Sequence, residues 1–148
     1  MKTTRLLLPL MITLLITPPL SSQTTIHREP KTLEPGSQAP DFNLPGVDGN
    51  TYTLVSFAKA KVLVIVFSCN HCPTAQAYED RIIALANDYR SKGVEVVMIS
   101  PNSVDGLNYS ELSYSDMGDS FDDMKQRAKD KAFPFPYLYD GEKTNRRK

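Results

Sequence analysis

The apolar positions along the chain follow two periods, and each predicts a different element. Val62-Leu63-Val64-Ile65-Val66-Phe67 is an unbroken, mostly β-branched block, which predicts a strand buried in the centre of a sheet. From Thr74 to about Lys92 the period lengthens. Ala75, Tyr78, Ile82, Leu85 and Tyr89 recur at steps of three and four, so a helix is predicted with this stripe against the core. Glu79, Asp80, Arg81, Asp88 and Arg90 then face mostly elsewhere. Pro73 suits a first helical turn, where its missing N–H costs little, and Gly93 suits a C-cap just past the end. Val94-Glu95-Val96-Val97-Met98-Ile99 returns to a strand pattern, so residues 62–99 predict a βαβ unit.

The flanks are less periodic. Residues 36–46 place prolines and glycines around Phe42 and Leu44, as an extended edge segment would. Asp48-Gly49-Asn50 predicts a turn into a short strand from Thr51 to Leu54. Residues 101–118 are polar and read as a long surface insertion. Ser120 and Asp123 stand at capping-box spacing before a second helix that buries Phe121, Met124 and Ala128. Its Asp122 and Asp123 come early and its Lys125, Arg127, Lys129 and Lys131 late, an order that suits the helix dipole. Phe133-Pro134-Phe135-Pro136-Tyr137-Leu138-Tyr139 is extended by proline geometry, and its aromatics are expected in the core.

Composition changes this picture only at the N-terminus. Lys2 and Arg5 precede an apolar stretch from Leu6 to Leu20 that ends in Pro18-Pro19 and small polar residues. Residues 1–25 therefore predict a signal peptide, with an uncleaved membrane anchor as the alternative, and residues 26–35 a polar tether. The remaining 36–148 form one domain, long enough for a proper core. An exported protein, periplasmic or secreted, is expected. With 17 basic and 17 acidic residues the chain has no net formal charge, and Arg146-Arg147-Lys148 is too short a basic run to predict a nucleic-acid partner.

The candidate chemistry is concentrated in Cys69-Asn70-His71-Cys72, which holds both cysteines of the chain. That count excludes a structural disulfide framework and leaves redox chemistry, metal binding or two inert core thiols. The pair stands where a strand ends and a helix begins, and unpaired N–H groups at a helix start favour thiolate. Cys69 is accordingly expected to be the nucleophile and Cys72 the resolving thiol, close enough to form a disulfide. His71 is expected to hydrogen-bond or, when charged, to stabilise the Cys69 thiolate. A zinc site would still lack a fourth ligand, since His27 lies in the tether, so neither metal nor other cofactor is expected.

The order Gly36, Ala39-Pro40-Asp41-Phe42, strand, Cys-x-x-Cys, helix, strand resembles thioredoxin-like redoxins related to peroxiredoxins of the alkyl hydroperoxide reductase/thiol-specific antioxidant family. Phe67-Ser68-Cys69-Asn70-His71-Cys72-Pro73, Tyr78-Glu79-Asp80-Arg81, Ser100-Pro101-Asn102, Asp119-Ser120-Phe121 and Phe135-Pro136-Tyr137-Leu138-Tyr139-Asp140 are similar to exported bacterial thioredoxin family proteins of that group. The resemblance covers roughly residues 36–140. It implies an α/β thioredoxin-like sandwich and thiol-disulfide exchange with protein or small-molecule disulfides, served by a redox partner protein. It also implies further elements, a hairpin and a final helix, that would follow Asp140, so the domain is expected to be incomplete at its C-terminus. Peroxidase activity is the weaker implication, because the family's Thr or Ser three residues before the reactive cysteine is replaced by Val66 before Cys69 and by Cys69 before Cys72. A Cu(I) chaperone is the other alternative. Its branch uses a wider cysteine spacing and a distant histidine, and this chain has neither.

Overall fold

The computed structural model describes residues 32–103 and 117–141. Its contacts divide the chain into two units, Met1–Ser37 and Gln38–Lys148, and the second holds every strand and helix among the described residues. The expected signal segment and most of the tether lie outside the described residues, as does most of the polar insertion. Among the described residues no helix is long and apolar enough to cross a membrane.

A parallel sheet of β3 (Val62–Phe67), β4 (Val94–Ser100) and β5 (Tyr137–Tyr139) carries the domain. Before it, β1 (Leu44–Pro45) and β2 (Thr51–Tyr52) form a small antiparallel hairpin. Its turn is the expected one: Gly49 has φ +86°, and the Asp48 carboxylate accepts from the backbone and side-chain amides of Asn50 and from the Tyr52 hydroxyl. The predicted strand is shorter than expected. Leu54–Phe57 is a 3₁₀ turn, capped by the Ser56 hydroxyl accepting from the Thr53 N–H, and it drops Phe57 into the core.

The βαβ unit has the predicted order. Val62 pairs with Val94 and Phe67 with Ile99, and α1 (Pro73–Arg90) connects the strands. Gly93 ends the crossover at φ +86°, donating its N–H to the Arg90 carbonyl, a conformation that a β-carbon would strain. β4, flanked on both sides, is the central strand, with Val96 through Ser100 all buried. Among the described residues β3 pairs on one side, with β4, and its ends Val62 and Phe67 are 53% and 69% exposed. Its inner residues pack on both faces of the sheet.

Those two faces hold two cores. Val64, Val66, Val96 and Met98 pack with Ile82, Ile83 and Ala86 of α1 and with Met124 of α2 (Phe121–Asp130), together with Phe135 and Tyr137. On the other face Leu63, Ile65, Val97, Ile99 and Leu138 pack with Leu44 and Phe57. α2 starts as predicted, with Ser120 and Asp123 exchanging hydrogen bonds. α1 is rotated from its predicted phase. Glu79 and Ala86 are its buried residues, whereas Tyr78, Leu85 and Tyr89 are 52%, 39% and 44% exposed. The reason is electrostatic: Glu79 takes a bidentate contact from Arg127 of α2, at 2.8 and 2.7 Å, with the Lys131 ammonium at 3.4 Å. That ion cluster holds the two helices side by side on one face of the sheet.

Candidate functional site

Strand β3 delivers the chain to Ser68, whose N–H still bonds the Ile99 carbonyl, and the next four residues form the turn into α1. The turn is held from several directions. Asn70 is 1% exposed; its side-chain amide donates to the Gly118 carbonyl at 2.9 Å, and its side-chain oxygen accepts from the Tyr137 hydroxyl at 3.1 Å. Gln76 of α1 donates to the Asn70 carbonyl. Asp119, also 1% exposed, closes the arrangement. Its Oδ1 accepts the backbone N–H groups of Asn70 at 2.7 Å and His71 at 3.1 Å; its Oδ2 lies 2.8 Å from His71 Nδ1 and accepts from the Asn102 amide at 2.7 Å.

Both cysteines are half-buried free thiols at one end of an apolar groove of about 480 Å³, walled by Val66, Phe67, Ala75, Tyr78 and Ile82. Their acidities differ in the direction opposite to expectation. Cys72, not Cys69, is the N-cap of α1, and the backbone N–H groups of Ala75 and Thr74 pull its thiol below the ordinary value although no regular capping hydrogen bond forms. The Cys69 thiol lies outside that field. Burial, with a further contribution from the Asp119 charge, pushes it up to about 11. Of the reduced pair, Cys72 is therefore the more acidic thiol. The helix starts at Pro73, close to where the sequence predicts it, and its first N–H groups act on Cys72 rather than on Cys69. Labelling reduced protein with iodoacetamide across pH should modify Cys72 at a lower pH than Cys69, and simultaneous modification of the two would remove the distinction.

His71 lies within the turn as expected and has a partner that the sequence pattern did not assign. The Cys69 sulfur, a His71 ring nitrogen and an Asp119 oxygen all lie within 4.8 Å of one another. Cation binding is disfavoured, because each Asp119 oxygen already has two contacts to nitrogen that a metal would have to displace. Asp119 is 48 residues from His71 in sequence. Its only signal is its place beside the Ser120 cap, within the Asp119-Ser120-Phe121 motif of the resemblance.

A sequence profile described as the AhpC/TSA family matches residues 35–148. The chain belongs to that family. A Mycobacterium tuberculosis (strain ATCC 25618 / H37Rv) protein named "Putative peroxiredoxin Rv2521" is 34% identical over 79 residues, 51% of this chain and 48% of the relative. The chain thus spans about half the length of the curated relatives it matches. A structure titled an uncharacterized conserved protein from Geobacillus kaustophilus is 40% identical with a TM-score of 0.62, covering 75% of this chain and 53% of that one. A structure titled "a putative Thiol:disulfide interchange protein DsbE from Chlorobium tepidum" superposes with a TM-score of 0.59 at 20% identity, covering 78% of this chain and 70% of that one. With the parallel sheet and its flanking helices, these similarities make this AhpC/TSA member thioredoxin-like in fold, as the resemblance implied.

Proposed function

We propose that this AhpC/TSA member is a thiol-disulfide oxidoreductase working through the Cys69–Cys72 dithiol. The observation that carries the reading is the placement of two free thiols, three residues apart, at the start of α1 beside an apolar groove. Cys72 enters first. Its thiolate attacks a substrate disulfide, a new sulfur–sulfur bond forms to Cys72, and the other substrate sulfur leaves as a thiolate. The Cys69 sulfur, three residues away, then attacks the mixed disulfide, closes the Cys69–Cys72 bond and releases the second substrate thiol. The same steps in reverse oxidise a dithiol. These roles exchange those expected from sequence, because Cys72 is the more acidic thiol.

The substrate class is protein or small-molecule disulfides, and a partner protein resets the pair. The apolar residues 6–20 and the thiol:disulfide interchange proteins among the structural relatives support an exported location. Incubation with a model disulfide tests the roles. Cys69→Ser should accumulate a mixed disulfide at Cys72 and Cys72→Ser should not. Trapping only in Cys72→Ser would restore Cys69 as the entering nucleophile, and the absence of disulfide exchange by the wild-type dithiol would reject the function.

A further inference from the structure

We propose that Asp119 is a positioning residue for the dithiol: by pinning the Cys69–Cys72 turn to the segment before α2, it holds the two sulfurs together and stabilises the disulfide against the dithiol. The inference rests on the dithiol function and adds to it the residue that sets its equilibrium. Its ground is the way the turn is held. Asp119 is buried, and its Oδ1 accepts the backbone N–H groups of Asn70 at 2.7 Å and His71 at 3.1 Å, the two residues between the cysteines. Oδ2 is engaged too, by the His71 ring at 2.8 Å and by the Asn102 amide at 2.7 Å. One residue earlier, the Gly118 carbonyl accepts the Asn70 side-chain amide, so the same segment grips the turn by backbone and by side chain. The Tyr137 hydroxyl from β5 and the Gln76 amide from α1 donate to the two oxygens of Asn70.

Helix capping does not account for this arrangement. α1 begins at Pro73 with Cys72 as its N-cap, so the Asn70 and His71 N–H groups lie ahead of the helix, where water would satisfy them in an open turn. A buried carboxylate is costly unless it is hydrogen-bonded, and Asp119 directs most of its accepting capacity at this one turn. The consequence falls on the sulfurs. Inside the pinned turn the Cys69 sulfur accepts from the Cys72 backbone N–H, and the two thiol side chains share a hydrogen bond. An intramolecular disulfide is favoured in proportion to the effective concentration of one sulfur at the other. Two backbone bonds to one buried acceptor keep that concentration high. In a released turn the dithiol can let its sulfurs separate, whereas the disulfide must still hold them, so the cost of ordering the turn falls on the disulfide alone.

Equilibration with glutathione buffers of graded oxidised-to-reduced ratio, followed by acid quenching and alkylation, gives the constant between dithiol and disulfide. Asp119→Ala should disfavour the disulfide by about tenfold, which for a two-electron couple raises the potential by about 30 mV. Asp119→Asn keeps an oxygen for both N–H groups and should stay within about twofold of wild type. Urea unfolding of the oxidised and reduced forms gives a second reading. A merely structural carboxylate would weaken both forms of Asp119→Ala equally, whereas a positioning one weakens the oxidised form by a further factor of about ten in the unfolding constant. If Asp119→Ala does not fold, Asn70→Ala carries the test: it frees the turn from Gly118 and Tyr137, and should shift the constant in the same direction by about threefold or more. An unchanged constant in whichever of these two variants folds, a shift toward the disulfide, or an equal shift in Asp119→Asn and Asp119→Ala overturns the inference and leaves the dithiol function standing. Absence of a Cys69–Cys72 disulfide in wild type at every ratio overturns both.

Discussion

Methionine in place of Arg127 should destabilise the domain by about 3–5 kcal/mol, the cost of stranding a buried carboxylate. Glu79 is 2% exposed on the face of α1 that meets α2, and both its oxygens are engaged by the Arg127 guanidinium. Among the described residues, removing that partner leaves Lys131, at 3.4 Å, to offset the desolvated charge. The double variant Glu79→Leu/Arg127→Met should recover most of the loss, because a neutral apolar pair removes the need to solvate either ion. Urea unfolding of the single and double variants measures both quantities. A loss below about 1 kcal/mol in Arg127→Met would place this pair with exposed salt bridges and deny it a part in docking the helices.

The same glutamate shows why the helix was only half legible. The three-and-four spacing of Ala75, Tyr78, Ile82, Leu85 and Tyr89 located α1 to within two residues at each end and put Ile82 inward, yet it also sent Tyr78, Leu85 and Tyr89 inward and left Glu79 out. Burial of a charge is decided by a partner 48 residues away, and no local period contains that information. Strand β3 was read to the residue at Val62–Phe67, because an unbroken apolar run reports two covered faces. The capping box at Ser120 and the turn at Gly49 were legible because their determinants lie within four residues.

At the site, local signals identified Cys69, His71 and Cys72 as the chemical residues, and nonlocal contacts then set their properties. Asp119 reaches the turn from the segment before α2 and adjusts the His71 ring and the Cys69 thiol together. Which cysteine meets the helix field depended on where the first helical turn closes. The helix starts at Pro73, so its first N–H groups act on Cys72 and not on Cys69.

Hydrogen peroxide should oxidise the reduced protein no faster than it oxidises an ordinary thiolate, while a model disulfide is exchanged readily. Peroxide reduction by a thiolate expels hydroxide, a poor leaving group, so rapid catalysis needs donors or cations aimed at the departing oxygen. The groove beside Cys72 is lined by Val66, Phe67, Ser68, Cys69, Thr74, Ala75, Tyr78 and Ile82, with no arginine, lysine or histidine among them. At the position three residues before Cys72, where the family's peroxidatic signature carries Thr or Ser, stands Cys69, a thiol and therefore a weak donor. A disulfide substrate asks less of the site, since its leaving group is a thiolate that departs without such help. Stopped-flow mixing of the reduced protein with peroxide and with a model disulfide compares the two directly. A peroxide rate orders of magnitude above that of free cysteine would show that donors beyond the described groove act on the leaving oxygen, and would make peroxide the substrate of the Cys72 thiolate.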